Sequence, residues 1–306
     1  MTQRDDYDSP WKDILGEYFE QFMYFFFPKI AEEIDWKKGY EPADKELRQI
    51  TREAEIGKRF ADRLFRVWKK NGEEMWVMVH VEVQAQKETG FTERTFTYNY
   101  RIRDLYNCKV VSLAVLADDN ETWYPSVYLD KLWGCLTLFR FPTVKILEYR
   151  KQWEQLEKSD NPFAAVVMAH LKTMETKGDD SRRKKWKLEL TKNLYRQGFE
   201  KQDIINLYRF IDWIMVLPKE LEGTYHQELM EFEEKKKMKY ITTAERIGIE
   251  KGEHIGIEKG ERIGIIKTAE NLLSMGVLTN EQIVQATGLT LKDIQDLQKT
   301  VKHGNA

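Results

Sequence analysis

The chain has 306 residues, of which 42% are hydrophobic, so it is long enough for one or two domains with an ordinary core. Its formal net charge of −2 excludes a protein that binds nucleic acid through bulk positive charge, and any basic surface must be local. Two cysteines in a chain of this length are typical of a reducing compartment. The most apolar early segment, residues 22–27, is too short to span a bilayer. We therefore expect a soluble cytoplasmic protein that does not associate with membranes.

Residues 10–27 have the spacing of an amphipathic helix. Pro10 suits a first helical turn, and Pro28 predicts the end of the segment. A polar connection follows, and a second helix is predicted near residues 44–57. The apolar positions that define the first helix are Trp11, Ile14, Leu15, Tyr18, Phe19, Phe22, Met23 and Phe26.

Two segments with strand character follow, at residues 61–69 and 75–84. The second contains the run WVMVHVEVQ, in which valine occupies every second position, as in a strand with one buried face. The sequence Asn-Gly-Glu at 71–73 lies between the two segments and is typical of a tight turn. The pattern predicts an antiparallel β-hairpin.

The strand pairing within this hairpin decides whether its acidic residues lie together. A three-residue loop that pairs Lys70 with Glu74 places Asp62 directly opposite Glu82, with about 4.5–5.5 Å between the two Cβ atoms. A two-residue Asn-Gly loop places Asp62 opposite Val81 instead and separates the two acids onto opposite faces. The sequence leaves both loop lengths open.

Two carboxylates that face each other repel unless a cation lies between them. A hard divalent ion with oxygen ligands, Mg²⁺ or Mn²⁺, is suited to Asp62 and Glu82. Such an ion lowers the pKa of a bound water and stabilises negative charge on a phosphate. Gln84, two residues after Glu82, would offer an amide hydrogen bond on the same face. The alternative is a polar sheet edge at which the acids pair with Arg63 or Arg94.

The elements after the hairpin alternate between helix and strand. A helix is predicted at 91–107, strands at 109–117 and 135–141, and a helical segment at 143–157. This alternation predicts an α/β fold in which a mixed sheet is flanked by helices.

From about residue 160 the predicted elements are helical only. Three helices are predicted at 162–176, 181–197 and 201–216. Residues 231–267 are highly charged and repetitive, with GIEKGEHI followed directly by GIEKGERI. This helical arm is either a solvated linker or a helix whose isoleucines pack against a second copy of the chain, because its glycines allow two backbones to approach closely. The second interpretation predicts a homodimer formed through the arm.

The tail at 268–299 resembles a small helix-turn-helix unit. Thr279 and Thr290 each lie three residues before a side chain that can complete a capping box. Asp293 and Asp296 in its second helix would repel a phosphate backbone, which favours a packing module over a DNA reader. The predicted domains are an α/β domain at 1–158, a helical domain at 159–230, the charged arm at 231–267 and the tail at 268–306.

Several of these motifs resemble one known group. Asp62, followed by a hairpin and by Glu82-Val83-Gln84 at the end of a valine-rich strand, resembles the motif of the PD-(D/E)XK nuclease superfamily. The similarity is closest to its Rpn branch, the recombination-promoting nucleases and putative transposases. Residues 8–12 (DSPWK), 194–198 (LYRQG), 210–218 (FIDWIMVLP) and the Gly-x-Glu-Lys-Gly repeats also resemble that branch.

The resemblance implies a restriction-endonuclease-like fold and a Mg²⁺-dependent DNA endonuclease, with DNA as its partner. It implies that Asp62 and Glu82 hold the metal and that Gln84 takes the place of the superfamily lysine. A glutamine is neutral and cannot stabilise a developing negative charge as a lysine does. A further acid from the N-terminal segment would be one of Asp8, Glu17 and Glu20. The alternative function is an inactive nuclease-fold scaffold that binds DNA or a protein through its helical C-terminal half.

Overall fold

A computed structural model of the protein describes most of the N-terminal three quarters of the chain. The described residues are 8–43, 47, 63–82, 90–236, 264–269, 271–273, 278–287, 294 and 297. The chain divides into two compact units, Met1–Tyr240 and Ile241–Ala306. Within the described ranges, no helix combines the length and the apolar character needed to cross a membrane.

The predicted N-terminal helix is present but is divided in two. Helix α1 (Asp8–Glu17) and helix α2 (Phe19–Phe26) meet at Tyr18, whose backbone leaves helical geometry with φ −124° and ψ 42°. The second of these helices ends at Phe26, just before Pro28, as predicted, and Pro28 then starts the short helix α3 (Pro28–Ala31) at a first-turn position that suits proline. The predicted helix at 44–57 falls almost entirely outside the described residues.

A five-stranded mixed sheet forms the centre of the first unit. Its strands are β1 (Glu41–Pro42), β2 (Arg63–Trp68), β3 (Glu74–Glu82), β4 (Val110–Leu116) and β7 (Thr143–Lys145). Their spatial order is β1-β2-β3-β4-β7. The β1–β2 and β2–β3 pairs are antiparallel, whereas the β3–β4 and β4–β7 pairs are parallel.

The observed pairing of β2 with β3 differs from both registers considered above. Phe65 pairs with Val77 and Trp68 pairs with Glu74. The backbone N–H of Lys69 donates to the carbonyl of Glu73 at 2.8 Å, so the loop consists of residues 70–72. The predicted pairing of Lys70 with Glu74 is therefore wrong by two residues. Because the shift is an even number, the described residues that were expected to share a face, such as Phe65 and Val77, still do so.

The turn chemistry explains why this loop is selected. Gly72 has a φ of 88°, which glycine adopts without the steric penalty of a side chain. The side-chain oxygen of Asn71 accepts a hydrogen bond from the backbone N–H of Glu73 at 3.0 Å. The backbone angle of Gly72 and the hydrogen bond of Asn71 together stabilise a loop in which Asn71 is the middle residue.

Helices cover both faces of the sheet. On one face the ring of Phe65 stacks on Phe19 of α2, with 3.8 Å between ring centroids. On the other face Leu64 and Met78 form a buried cluster with Tyr98 and Ile102. These last two residues belong to helix α4 (Phe91–Tyr106), which confirms the helix predicted at 91–107. The predicted mixed sheet flanked by helices is therefore confirmed.

Two strands form a separate antiparallel hairpin. Strand β6 (Cys135–Arg140) confirms the strand predicted at 135–141, and its partner β5 (Val127–Leu132) was not predicted. Trp133 and Gly134 form the two-residue loop, with φ values of 48° and 90°. Two consecutive positive φ angles are the geometry of a tight hairpin turn that follows the natural twist of the strands.

The segment predicted to be helical at 143–157 begins with a strand. Residues 143–145 form β7, and the following Ile146–Gln152 is a 3₁₀ helix that leads into helix α5 (Trp153–Lys158). A three-residue strand is too short to show a period of its own. Its pairing with β4 fixes its conformation.

The described elements from Ile146 to Lys236 are all helical. After α5 these are α6 (Pro162–Glu175), α7 (Asp180–Arg196), α8 (Lys201–Ile214) and α9 (Lys219–Lys236). Helix α6 is buried along most of its length and lies at the centre of this group. On α1, Trp11 is fully buried against α6 and α8, with its ring 6.0 Å from His170 and 5.6 Å from Phe210.

The second unit contains helix α10 (Asn280–Thr287). The backbone N–H of Thr279 donates to Gln282 Oε1 at 2.9 Å, and the backbone N–H of Gln282 donates to Thr279 Oγ1 at 3.3 Å. This reciprocal pair confirms the predicted capping box. Residues 237–263 of the arm and the second predicted cap at Thr290 lie outside the described residues.

Candidate functional site

Several strands of the central sheet begin or end with a polar residue at one edge. The parallel strands β3, β4 and β7 end there, and the register aligns Glu82 with Leu116 and Leu116 with Lys145. The antiparallel strand β2 begins at the same edge, where Arg63 pairs with Val79. Ligands of open α/β sheets bind outside the carboxyl ends of the strands. We refer to the ends of these four strands as the sheet edge and treat it as the candidate site.

The structure describes only part of the predicted metal site. Glu82 is the last residue of β3, and its backbone is described. Asp62 and Gln84 lie outside the described residues, as does the side chain of Asp8. In the parts of the chain that are described, no three His, Cys, Asp or Glu side chains are grouped to hold a metal ion. The assignment of Asp62, Glu82 and Gln84 stays a prediction.

The start of β2 packs closely against α1. A Cβ atom at Gly16 would overlap the guanidinium of Arg63, so glycine at this position makes room for that side chain. The Arg63 guanidinium also lies over the ring of Phe65, 5.6 Å from the ring centroid. Arg63 follows Asp62 in the sequence, and α1 thus contacts the residue next to one predicted metal ligand.

Two of the candidate helix acids influence Tyr40. Burial raises the pKa of the Tyr40 hydroxyl, and the nearby carboxylates of Glu17 and Glu20 raise it further, while Arg63 lowers it. Both carboxylates thus act on Tyr40, and Glu17 directly follows Gly16, the residue of α1 that contacts Arg63.

A buried ion pair at the sheet edge was not predicted from the sequence. Lys145 Nζ donates to both carboxylate oxygens of Asp118, at 3.0 Å and 2.8 Å, and to the carbonyl of Trp123 at 3.0 Å. Lys145 is 2% exposed and Asp118 is 1% exposed. All three ammonium hydrogens thus have acceptors, so Lys145 ties the loop after β4 to the end of β7.

This lysine does not replace the one missing from the predicted motif. Lys145 is aligned with Glu82 across two strand spacings, which corresponds to about 10 Å between backbones. Its ammonium group is also occupied by Asp118 and Trp123. We assign the pair a structural role. The apolar run before Asp118 indicated the end of a strand, but nothing in the sequence indicated that Asp118 pairs with Lys145.

A buried histidine supports the same loop from below. The ring of His170, on α6, is fully enclosed, and burial lowers its pKa from 6.5 to about 4. Its Nε2 lies 2.6 Å from the carbonyl of Ala117. Because a carbonyl only accepts, the neutral ring carries its proton on Nε2 and donates it to Ala117.

His170 predicts a loss of stability in acid. The imidazole of the unfolded chain binds a proton near pH 6.5, whereas that of the folded protein binds one only near pH 4. The contribution of neutral His170 to the stability is therefore fully present above pH 6.5 and is lost as the pH falls towards 4. The loss should reach about 3 kcal/mol. Urea unfolding of wild type and of His170→Gln at pH 7 and pH 4.5 measures it. The wild type should lose more stability than the variant, and equal losses would contradict the assignment.

The fold and its site define a mixed α/β sheet protein with a candidate ligand site at the carboxyl ends of its parallel strands. Comparison with known proteins adds no relative to this description. No family model matches the chain, and no curated protein or solved structure is significantly similar to it.

Proposed function

We propose that the protein is a Mg²⁺-dependent DNA endonuclease whose metal is held by Asp62 and Glu82 at the sheet edge. The observation that carries this proposal is the position of Glu82. Glu82 is the final residue of β3, which is an inner strand of the sheet. Strand β2 begins at the same edge, and Asp62 directly precedes β2 in the sequence. The mixed sheet flanked by helices also agrees with the restriction-endonuclease-like fold that the resemblance implies.

The observed register changes the geometry that the two acids are expected to adopt. If the β2–β3 ladder continued by one residue, Asp62 would stand opposite His80, and Glu82 would be its diagonal neighbour. Diagonal neighbours on one face are about 7–8 Å apart and remain within reach of longer side chains. This spacing suits two carboxylates that share one ion between them, rather than two that touch.

The donor set fits a hard divalent cation, because both proposed ligands are carboxylates. Bound Mg²⁺ supplies charge neutralisation at the phosphate and a more acidic water. The chain itself would contribute the two carboxylates that fix the ion and the Gln84 amide that hydrogen-bonds the scissile phosphate or the water. The neutral amide predicts slower cleavage than a lysine would give.

Supercoiled plasmid is the simplest test of the proposed activity. Purified full-length protein should convert it to nicked or linear DNA in the presence of Mg²⁺ or Mn²⁺ and should leave it intact in EDTA. Cleavage that continues in EDTA would contradict a metal-dependent mechanism. Plasmid binding without cleavage under every metal condition would favour the inactive scaffold instead.

The charged arm remains a predicted contact between two copies. The first compact unit ends at Tyr240 and includes α9, in which Tyr225 and Leu229 are buried. A chain ending at Tyr240 therefore keeps that packing and removes the repeats. We expect self-association at least about tenfold weaker than that of the full chain, measured by sedimentation equilibrium. Undiminished association of the shortened chain would rule out the arm as a contact.

A further inference from the structure

The hairpin formed by β5 and β6 exposes a large apolar surface. We call residues Val127–Arg140 the apolar hairpin. Its loop residue Trp133 is 97% exposed, although tryptophan usually buries most of its surface in a folded protein. Four leucines of the same hairpin are also exposed, Leu129 at 61%, Leu132 at 61%, Leu136 at 62% and Leu138 at 60%.

One face of the apolar hairpin is anchored to the body of the protein. The ring of Tyr128 stacks on Phe96 of α4 with 4.8 Å between centroids, and Phe139 lies 5.6 Å from the same ring. Tyr128 and Phe139 pair with each other across the two strands. This aromatic contact fixes the base of the hairpin on α4.

The opposite face carries the leucine row. Leu129 pairs with Leu138, and Lys131 pairs with Leu136. Side chains alternate between faces along a strand, so these residues lie on the face away from Tyr128 and Phe139. The two cations on this face, Lys131 and Arg140, lie towards its two ends, where their long stems can keep the charges in water. The centre of the face is apolar.

The exposed area of this face is substantial for a monomer. Its three leucines, Leu129, Leu136 and Leu138, and the loop residue Trp133 expose roughly 500 Å² of apolar surface, taking about 100 Å² for each leucine and about 200 Å² for the tryptophan. The largest apolar patch on a typical monomer is about 300–600 Å² and is often functional. Two such faces packed together bury roughly 1,000 Å², which is the smallest area expected of a biological interface.

We propose that the apolar hairpin packs against the same hairpin of a second copy of this chain. A two-fold symmetric contact uses one patch twice, so each copy supplies the apolar area that covers the other. The leucine face has no acidic residue to direct it towards a basic partner, and homodimer interfaces are more apolar than other protein interfaces. The inference does not rest on the proposed nuclease activity and adds a contact within the first unit to the one predicted for the arm.

Sedimentation velocity of the full-length protein from about 1 to about 100 µM, without DNA or metal, tests this contact. We expect a reversible dimer for the wild type. The Leu129→Asp/Leu138→Asp variant should dimerise at least about a hundredfold more weakly, because two charges would be buried at the centre of the interface. Leu105→Asp is the matched control, because Leu105 is 48% exposed on α4 outside the hairpin, and it should dimerise like the wild type.

Thermal unfolding of each variant separates a lost contact from a lost fold, since substitutions at exposed positions should leave the midpoint nearly unchanged. A wild-type monomer at the highest concentration would overturn the proposal, and so would a folded double variant with undiminished dimerisation. The proposal would also be overturned if Trp133→Ala weakened plasmid binding or lipid-vesicle binding and left self-association unchanged. The hairpin would then bind DNA or a membrane surface.

Discussion

Glu82→Ala should lower the rate of plasmid cleavage by at least about 10³-fold, because a lost metal ligand removes several kcal/mol of transition-state stabilisation. Asp62→Ala should have an effect of the same size. DNA binding should stay equal or become stronger in both variants, because each removes a carboxylate that repels phosphate. The separation of binding from cleavage distinguishes a lost metal ligand from a damaged fold.

Glu74 offers a matched control for this prediction. It begins the strand that Glu82 ends, so Glu74→Ala removes the same side chain from the same strand at the opposite edge of the sheet. Its carboxylate accepts a hydrogen bond from Trp76 Nε1 at 3.0 Å, which makes a small loss of stability the expected effect. Equal loss of cleavage in Glu74→Ala and Glu82→Ala would contradict a specific role for Glu82.

Gln84 is expected to matter less than either acid. Gln84→Ala removes one neutral hydrogen bond, which corresponds to a decrease of about tenfold in the rate. Gln84→Lys should raise the rate, because a cation near the phosphate stabilises its developing charge. A lysine that gives no increase would mean that position 84 does not contact the reacting group.

Lys145→Met should lower the free energy of unfolding by about 3–5 kcal/mol, because it leaves the Asp118 carboxylate buried without its partner. The side chains of the two residues are only 3% and 1% exposed, so water cannot replace the ammonium group without local opening. Urea unfolding followed by circular dichroism measures the loss. The effect belongs to the fold, and it should occur with or without Mg²⁺.

A surface ion pair provides the comparison for Lys145. Lys109 pairs with Glu73, and the Lys109 side chain is 72% exposed. Lys109→Met should change the stability by less than about 1 kcal/mol, because solvent screens an exposed pair. The Lys145→Met/Asp118→Leu double variant should recover part of the loss, since it removes the unpaired buried charge. A Lys145→Met variant as stable as Lys109→Met would contradict the importance of the buried pair.

The sequence was most informative where a long segment carries its own period. Helix α4 was predicted at 91–107 and spans Phe91–Tyr106, and strand β4 was predicted at 109–117 and spans Val110–Leu116. Apolar spacing within one element is a local property, so no tertiary contact was needed to recognise either one. The flanked mixed sheet followed from their alternation.

Features that depend on distant contacts were not predictable in the same way. Strand β7 has three residues and owes its conformation to β4 beside it. The β2–β3 register was set by the turn at Asn71 and Gly72, where the sequence allowed more than one loop length. The apolar residues of β5 did not reveal their exposure, because burial depends on what packs against them.

The same distinction applies to the candidate site. Glu82 stood out because a carboxylate at the end of a valine-rich strand is unusual in a single sequence. Asp118 and Lys145 did not, because they are 27 residues apart and meet only through the parallel pairing of β4 with β7. A sequence can therefore indicate a site residue when that residue is unusual for its secondary-structure element. A buried ion pair between distant residues is recognised only when the strand pairing is known.

Metal binding by Asp62 and Glu82 is tested most directly by titrating the full-length protein with Mn²⁺ and following free Mn²⁺ by electron paramagnetic resonance. This measurement needs no DNA and does not depend on the rate of cleavage. We predict one Mn²⁺ site per chain in the wild type and in Glu74→Ala, competed by Mg²⁺, and a loss of that site in both Asp62→Ala and Glu82→Ala. Mn²⁺ binding that is the same in all four proteins, or absent from the wild type, would contradict the proposed metal site.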